Sequence, residues 1–435
     1  MKALVIGSGG REHAILWALK RTSRGPLDLY CAPGNGGISQ LAESVPIPPT
    51  DHGALVEFVR RNAIDLTIVG PEGPLSEGIV DEFERGGLRI MGPNRTAARL
   101  ESSKGFAKNF MRRHGIPTAD FHIARSEAET LEVLRSGKFG PPDAPVVVKA
   151  DGLAAGKGVI VAASRLEGEE AVKELLTGRL ISTAATEQLL VEEALKGREV
   201  SVLVFADGRD YVLMPPARDH KRIGDHDTGP NTGGMGAITD PSILDSETLE
   251  RVRREIIGPT LAGARQEGFA FRGILFVGLM LTADGPKVLE YNVRFGDPET
   301  QAILVRLQSD LFEILHAITD GELRNAEVEW SDQSSACVVL ASRGYPGSSE
   351  TGFAINGLNT LAAADSVDVF HAGTSRSDSG EFLTAGGRVL GVTAAATTLA
   401  QALNRCYSAI NKINWQGMQY RTDIGEFRES AVAGP

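Results

Sequence analysis

Residues Val146–Val161 read VVVKADGLAAGKGVIV and carry the clearest structural signal in the chain. The β-branched run Val146–Val148 predicts a buried strand with Lys149 at its end, and the apolar run Val159–Ala163 predicts a second strand. Glycines between the two runs let backbone N–H groups approach an anion closely, and the lysines supply positive charge. The segment therefore predicts a phosphate-binding flap, and an ordinary glycine hairpin with solvated lysines is the alternative.

This flap differs from a Walker loop, in which the sequence GxxxxGK(S/T) opens a helix. Here Lys157 is followed by Gly158 and then by strand-forming residues, so the sequence predicts no helix at this point. Triphosphate binding would therefore use a turn between two strands. The candidate phosphate-binding residues of the flap are Lys149, Gly156, Lys157 and Gly158.

The composition of the 435 residues excludes several classes of protein. At about 150 residues per domain, the length predicts roughly three domains. The net charge of −11 argues against a general nucleic-acid partner. The three cysteines lie in apolar stretches without CxxC spacing, as is typical of core residues in a reducing compartment. The sequence shows neither a signal peptide nor a membrane-spanning run, so we expect a cytoplasmic protein without a membrane partner.

The first hundred residues alternate strand and helix patterns, which predicts a doubly wound parallel sheet. Such sheets bind ligands at the carboxyl ends of their strands, where glycine-rich turns fall at residues 7–12, 32–37 and 70–74. The first turn is nearly GxGxxG, but Glu12 occupies the position of the third glycine. A phosphate at the helix N-terminus therefore fits better than a dinucleotide. Tight turns without a ligand are the alternative.

Charged residues also follow two other predicted element boundaries. Lys104 lies in the first turn of a helix that Ser102 or Ser103 can cap, an unfavourable place for a cation unless it faces an anion. Further along, a strand ending at Val191 leads into a loop whose backbone groups suit the edge of an adenine. The candidates for this nucleoside site are Glu192, Glu193, Leu195 and Glu199. A solvated acidic edge is the alternative.

Residues 218–236 are polar and rich in glycine, without a helical or strand period. Long loops of this kind are usually functional, so we expect a mobile loop over a substrate. The spacing of His220 and His226 matches no metal site that the sequence supports.

A hairpin that turns at Asp284–Gly285 ends in the sequence EYNVR. Alternate residues of a strand share a face. We therefore expect one face to carry Leu289, Tyr291 and Val293, and the other to carry Glu290, Asn292 and Arg294. A carboxylate and an amide oxygen suit magnesium, and an arginine beside them suits a phosphoryl group. The strand predicts a metal site at Glu290 and Asn292, and an exposed polar face is the alternative.

The patterns divide the chain into three predicted domains. Residues 1–103 would form the first, residues 104–330 the second with a flap subdomain at about 120–192, and residues 331–435 a small α+β module. The last module shows few obvious catalytic groups.

Together these motifs resemble the ATP-grasp ligases and, within them, the glycinamide ribonucleotide synthetase family. The resemblance covers nearly the whole chain and rests on VIGSGGREHA, APGNGG, VGPEGPL, SKGFAKNFM, VVKADGLAAGKGV, DHKRIGDHDTGPNTGGMGA, EYNVRFGDPETQ, GGRVLGV and YRTDIG. Four positions depart from the family pattern: Gly36 and Gly73 replace alanine, His226 is extra, and Ser349 replaces an aromatic residue. None of them touches a lysine or the predicted metal pair.

The resemblance implies an α/β and α+β multidomain chain with the ATP-grasp fold. It implies ligation of glycine to 5-phosphoribosylamine with ATP and Mg²⁺ or Mn²⁺, through a glycyl phosphate. The products would be glycinamide ribonucleotide, ADP and phosphate, in the second step of de novo purine biosynthesis. We expect a monomer.

It also implies roles for individual residues. The ATP phosphates would contact Lys104, Lys149 and Lys157, and the adenosine would contact Glu192, Glu193, Leu195 and Glu199. The catalytic residues would be Arg294, Lys157 and Lys149. The two amine substrates would contact Gly9, Gly10, Arg11, Asn35, Gly36, Glu72, Asp219, Asn231, Thr232, Gly233, Arg294 and Asp297.

Two rival classes of protein remain. A carboxylating or other ATP-grasp ligase would share the flap and the metal strand but should lack the DHKR…GPNTGG loop. A nucleotide-binding sensor without turnover would not need both Glu290 and Arg294 beside a phosphoryl group. A Rossmann oxidoreductase is disfavoured by the broken glycine fingerprint.

Overall fold

The computed structural model describes residues 1–153, 158–177, 188–361 and 366–427. The predicted phosphate-binding residues Gly156 and Lys157 lie outside the described residues. Across the described ranges, no helix combines the length and the apolar character that crossing a bilayer requires.

The first hundred residues form a parallel sheet flanked by helices, as predicted. Its strand order is β3-β2-β1-β4-β5, and β1 pairs in parallel with both β2 and β4. The elements are β1 (Lys2–Gly7), α1 (Gly10–Thr22), β2 (Asp28–Pro33), β3 (Glu43–Ser44), α2 (His52–Asn62), β4 (Leu66–Val69), α3 (Glu72–Glu77), α4 (Ile79–Arg85), β5 (Ile90–Met91) and α5 (Arg95–Ser102). The glycine-rich turns therefore meet at one edge of this sheet.

Glu12 explains why the first turn departs from the dinucleotide fingerprint. Its carboxylate is buried, accepts the Gly9 N–H at 2.5 Å, and lies across the ends of β1 and β4. A Cβ on Gly7 or on Gly70 would lie 2.6 Å from Glu12 Cδ, which is too close for any side chain. The glycines at these strand ends therefore make room for a carboxylate of the chain itself.

We expect Gly70→Ala to lower the free energy of unfolding by about 1–3 kcal/mol, because the added methyl group overlaps the buried Glu12 side chain. Gly73→Ala is the matched control, since its new Cβ has no atom within 4 Å and lies in helix α3. Alanine at this helical position should raise the free energy of unfolding by as much as about 1 kcal/mol. Urea unfolding measures both variants. Equal losses of stability would contradict the role given to Glu12.

The predicted flap lies in a second, antiparallel sheet with strand order β6-β9-β7-β8. Strand β7 pairs with β8 so that Lys149 lies opposite Val159, as expected for two strands joined by the glycine-rich turn. The elements of this part are α6 (Lys104–Arg113), β6 (Phe121–Ala124), α7 (Glu127–Arg135), β7 (Val146–Ala150), β8 (Val159–Ala162), α8 (Arg165–Leu176) and β9 (Leu189–Glu193). We call this sheet the flap sheet.

Within the described ranges, a third sheet of nine strands forms the centre of the molecule, and we call it the central sheet. Its order is β17-β16-β10-β12-β15-β18-β22-β19, with β11 beside β10. Its strands are β10 (Arg198–Asp207), β11 (Tyr211–Leu213), β12 (Ala217–Asp219), β15 (Gly236–Thr239), β16 (Arg272–Thr282), β17 (Gly285–Asn292), β18 (Ser334–Ala341), β19 (Asp368–His371) and β22 (Arg388–Ala396). Since β15 pairs with β18, the sheet continues across the predicted domain boundary at residue 331.

The other elements pack around the central sheet. Helices α9 (Ser246–Val252) and α10 (Gly258–Gln266) are joined by a π-helical segment, Arg253–Ile257. The remaining elements are β13 (Arg222–Gly224), β14 (Thr228–Asn231), α11 (Glu299–Leu304), α12 (Leu311–Asp320), β20 (Thr374–Arg376), β21 (Phe382–Thr384) and α13 (Leu399–Ile410).

The prediction that residues 218–236 lack regular structure is wrong. Strands β12 and β15 flank a small antiparallel hairpin formed by β13 and β14. These strands have three or four residues each, too few to show an alternating pattern in the sequence. We call residues 222–231 the substrate hairpin, after the role proposed for it below.

The predicted faces of β17 are correct except at Leu289. A β-bulge places Glu290 opposite Gly278 and Val288 opposite Leu279, so Leu289 is the extra residue. The Leu289 side chain packs with Met280 and not in the core cluster that contains Val288. A bulge places two successive side chains on one face, which a strict period of two cannot anticipate.

Candidate active site

Two lysines share one buried carboxylate where α6 meets the flap sheet. Lys149 Nζ lies 3.0 Å from Glu192 Oε2, and Lys108 Nζ lies 2.8 Å from the same oxygen. The three side chains are 3–6% exposed. Sequence reasoning missed Lys108, although it lies one helical turn after Lys104 and therefore on the same face of α6.

One carboxylate oxygen of this charged group accepts no hydrogen bond from the described residues. Burial lowers the pKa of Lys108 to about 8, against the attraction of Glu192. Burial opposes ionisation of Glu192, but Lys149 and Lys108 hold its pKa below the usual value. The other oxygen, Glu192 Oε1, is buried and has no hydrogen-bond partner among the described residues. A buried carboxylate oxygen in this state requires a donor, such as the amino group of an adenine.

Lys104 lies at the junction between α6 and the base of the flap. Its Nζ donates to the Gly152 carbonyl at 2.8 Å, and burial lowers its pKa while the charge of Glu290 raises it. Asp151 ties the two elements together, since it accepts from Ser103 Oγ at 3.1 Å and from Gly105 N at 3.2 Å. The cation is therefore fixed at the flap base, where the sequence predicts phosphate binding.

The other predicted nucleoside residues surround the end of β9. Glu193 Oε1 accepts from Asp120 N at 3.0 Å. Leu195 packs with Leu289 and Met280 in a small apolar cluster.

Lys221 is a second cation that sequence reasoning missed. Its Nζ lies 2.7 Å from Glu199 Oε2, in the neighbourhood of Asp219 and Glu290. Burial opposes its charge, but these three carboxylates raise its pKa. Burial in turn raises the pKa of Asp219, and the charge of Glu199 adds to that effect. The basic pair in the DHKR motif was the available signal.

The predicted metal pair, Glu290 and Asn292, lies on β17. Across the described residues, no group of three or more His, Cys, Asp and Glu side chains forms a metal site. Magnesium fits the pair nonetheless, since it binds through one or two carboxylates and takes its other oxygens from water and phosphate. Asn292 Oδ1 also accepts from Arg294 Nη2 at 3.3 Å.

Arg294 connects the metal strand to the first domain. Its guanidinium lies 3.0 Å from Glu101 Oε1 and 3.5 Å from Glu72 Oε2, and it donates to the Phe295 carbonyl at 3.2 Å. Burial opposes its charge, yet the surrounding carboxylates raise its pKa. Glu101 was missed by the sequence analysis, and it also accepts from Val293 N at 2.7 Å.

The predicted sugar-phosphate residues of the first domain make mainly internal contacts. Arg11 pairs with Glu12 at 2.6 Å and donates to the Phe295 carbonyl at 3.1 Å. The Asn35 amide donates to the carbonyls of Ser8 and His371, each at 2.8 Å. Gly36 N donates to the Thr374 carbonyl at 3.0 Å. Gly9 and Gly10 begin helix α1.

The third group of predicted substrate residues contacts side chains of the C-terminal module. Arg388 Nη1 donates to the carbonyls of Gly233 at 2.6 Å and of Asp297 at 2.8 Å, and Gly233 N donates to Tyr345 Oη at 2.9 Å. Asn231 Oδ1 is buried without a partner among the described residues. Sequence reasoning did not single out Arg388 or Tyr345, although Arg388 lies within the GGRVLGV motif.

Glu299 is a further buried acid that the sequence analysis did not assign. It opens α11 and accepts from Ser201 Oγ at 3.4 Å. Burial, with the nearby charge of Asp219, raises the pKa of Glu299 to about 7. Glu299 and Asp219 are therefore two buried carboxyl groups close to one another.

Models of the phosphoribosylglycinamide synthetase family match this chain in three parts. The N domain matches residues 1–101, the ATP-grasp (A) domain residues 102–300, and the C domain residues 335–427. These matches account for most of the chain.

Several phosphoribosylamine–glycine ligases match this chain over nearly their whole length. The phosphoribosylamine–glycine ligase of Rhodopirellula baltica is 46% identical over 426 residues, covering 97% of each chain. That of Escherichia coli is 46% identical over 430 residues, covering 98% of each. The crystal structure of the Thermotoga maritima ligase is 36% identical with a TM-score of 0.83, covering 97% of this chain and 100% of that one. This chain belongs to the phosphoribosylamine–glycine ligase family.

Proposed function

We propose that this chain joins glycine to 5-phosphoribosylamine with conversion of ATP to ADP and phosphate, in de novo purine biosynthesis. Full-length membership of the family supports the reaction. The observation that carries it in the structure is Arg294, which bridges the metal strand to Glu72 and Glu101 of the first domain. This ion pairing brings the predicted phosphoryl site next to the predicted sugar-phosphate site.

The adenosine of ATP would occupy the pocket below the flap. The unpaired Glu192 Oε1 would accept the adenine amino group, Leu195 would contact the ring, and Glu199 would reach the ribose. The phosphate group would be bound by Lys104, Lys149, Gly156, Lys157 and Gly158. Glu193 would border the nucleoside.

Glu290 and Asn292 would hold magnesium or manganese. The ion, when bound, neutralises charge on the phosphate oxygens of ATP. Arg294 lies beside Asn292, and its positive charge would stabilise the transferred phosphoryl group.

The glycine carboxylate would attack the γ-phosphorus in line, so that an O–P bond forms as the bond to the leaving ADP oxygen breaks. The amine of 5-phosphoribosylamine would then attack the carbonyl carbon of glycyl phosphate. The C–O bond would then break, its electron pair would leave with the phosphate, and the nitrogen would give up one proton to that phosphate. Burial raises the pKa of the three cysteine thiols, and all three cysteines are buried, so the described residues offer no thiolate for covalent catalysis.

Oxygen-18 in the glycine carboxylate tests this order of bond making. We expect each turnover to transfer one labelled oxygen to the released phosphate, because the oxygen that attacks phosphorus leaves with it. Mass spectrometry of the phosphate reads the label, and glycine-free incubation controls for ATP hydrolysis. Unlabelled phosphate at full product yield would rule out glycyl phosphate and, with it, the roles of Glu290, Asn292 and Arg294.

The remaining substrate residues would surround the two amines. The first-domain turns would hold the sugar phosphate through Gly9, Gly10, Arg11, Asn35 and Gly36, with Glu72 near the ribose. The residues bordering glycine or the ribosylamine would be Asp219, Asn231, Thr232, Gly233 and Asp297. Lys221, Arg388 and Glu299 would lie in the same neighbourhood, since they contact Glu199, Gly233 and Ser201, respectively.

We also propose that the chain acts as a monomer in the cytoplasm. The large hydrophobic side chains exposed among the described residues are Met1 and Leu166, which is few for an interface with a second copy. Light scattering of the purified chain measures the oligomeric state, and cell fractionation tests the cytoplasmic location.

A further inference from the structure

The turn of the substrate hairpin adopts a costly backbone conformation. His226 has φ 60° and Asp227 has φ 57°, so two successive non-glycine residues lie in the left-handed region. A non-glycine residue in this region is strained and persists only where the surrounding structure fixes it. Contacts from outside the hairpin must therefore hold this turn.

Residues 420–427, which we call the C-terminal segment, supply those contacts through a buried arginine. The Arg421 side chain is 0% exposed. It donates to both oxygens of Asp423, at 2.7 and 2.8 Å, and to Asp227 Oδ1 at 2.7 Å. Asp423 in turn accepts the His226 N–H at 2.8 Å. Both left-handed residues are thus bonded to the C-terminal segment.

Two more groups of contacts extend this attachment along the hairpin and its base. Thr422 donates to Asp225 from its backbone N–H at 2.8 Å and from its hydroxyl at 2.6 Å. The Phe427 ring lies between the Arg218 guanidinium, 3.5 Å from the ring centroid, and the His220 ring, at 4.2 Å. The hairpin is therefore held at its turn and at the strand from which it leaves.

The hairpin in turn positions residues of the proposed site. Thr232 follows β14 and donates to the Lys221 carbonyl, from its N–H at 2.8 Å and from its hydroxyl at 2.7 Å. Lys221 precedes β13 and carries the ammonium that contacts Glu199. A shift of the hairpin would move Lys221 and the Asn231–Gly233 turn together.

We propose that the C-terminal segment positions the substrate hairpin for binding of the amine substrates, with Arg421 as its positioning residue. The identity of those substrates rests on the proposed function. The attachment of the segment to its own module does not depend on the guanidinium, because Tyr407 Oη donates to the Arg421 carbonyl and accepts from Ile424 N, each at 3.1 Å. Loss of the guanidinium should therefore release the hairpin and leave the segment in place.

Steady-state kinetics of Arg421→Lys and Asp227→Asn test this proposal. Lysine keeps the charge but cannot reach both carboxylates with a planar fork. We expect the KM for glycine or for 5-phosphoribosylamine to rise about tenfold to a hundredfold, since small misplacements of binding groups have effects of this size. The KM for ATP should rise by a smaller factor, because the shift reaches the proposed nucleoside site through one contact, that of Lys221 with Glu199. Glu426→Gln, an exposed position in the same segment, is the control for the lost negative charge of Asp227→Asn.

Hydrogen exchange of residues 222–231 gives a second readout that does not depend on the reaction. We expect faster exchange in both variants and wild-type exchange in the control. The double variant should resemble the worse single variant, because both changes break one ion pair. Asp227 is partly exposed, so Asp227→Asn still decides the question if Arg421→Lys does not fold.

Two results would overturn the proposal: unchanged exchange in the hairpin, or equal changes in KM for all three substrates. If the wild-type chain does not ligate glycine to 5-phosphoribosylamine, the proposed function fails instead. The exchange measurement then still shows whether Arg421 holds the hairpin.

Discussion

Lys149→Met is expected to lower turnover by about a hundredfold to a thousandfold and to weaken ATP binding, because it removes a buried cation that we propose binds phosphate. The fold should survive. Methionine fills a similar volume, and Glu192 keeps its ion pair with Lys108 at 2.8 Å. Kinetics, calorimetry with ATP, and urea unfolding measure the three quantities separately.

Lys173→Met provides the comparison for this variant, since Lys173 is exposed on helix α8 of the same flap. Turnover and ATP affinity of that variant should match the wild type. If Lys149→Met also retained normal ATP affinity, Lys149 would serve the ion pair with Glu192 alone and would have no phosphate role.

Glu290→Gln is expected to raise the magnesium concentration for half-maximal activity by about tenfold to a hundredfold, the range seen when metal sites lose supporting groups. Glutamine keeps the shape of the side chain and removes one negative charge from the proposed ion site. A magnesium titration of initial rates at saturating ATP measures the shift. A second titration with manganese shows whether both ions use the site.

Asp284→Asn is the matched change for this experiment. Asp284 is exposed at the turn of the same β16–β17 hairpin, and asparagine before glycine also favours that turn. Its magnesium requirement should equal that of the wild type. If Glu290→Gln also had the magnesium requirement of the wild type, Glu290 would be an ordinary strand residue without a metal role.

The elements that sequence reasoning predicted well are those with a local pattern. The parallel sheet of the first domain, the two flap strands beside Lys149 and the β16–β17 hairpin each follow from hydrophobic period and turn residues within a short stretch. The family resemblance added the reaction, which no local pattern contains.

What sequence reasoning missed depends on contacts between distant parts of the chain. Glu101 pairs with Arg294, and Arg388 reaches Gly233, across more than a hundred residues. Such pairs leave no periodic trace in one sequence. Lys108 is a different case, since its helical spacing from Lys104 was visible, but a lysine on an amphipathic helix is usually solvated.

The pairing of β15 with β18 has a consequence for synthesis of the chain. Until Ser334–Ala341 is made, the backbone of Gly236–Thr239 forms an open strand edge whose residues are all buried in the finished fold. Residues 239 and 334 are 95 positions apart (334 − 239), which a ribosome takes about 5–20 s to translate. Open apolar edges pair with other chains. Synthesis of β18 therefore provides the pairing partner that closes this edge.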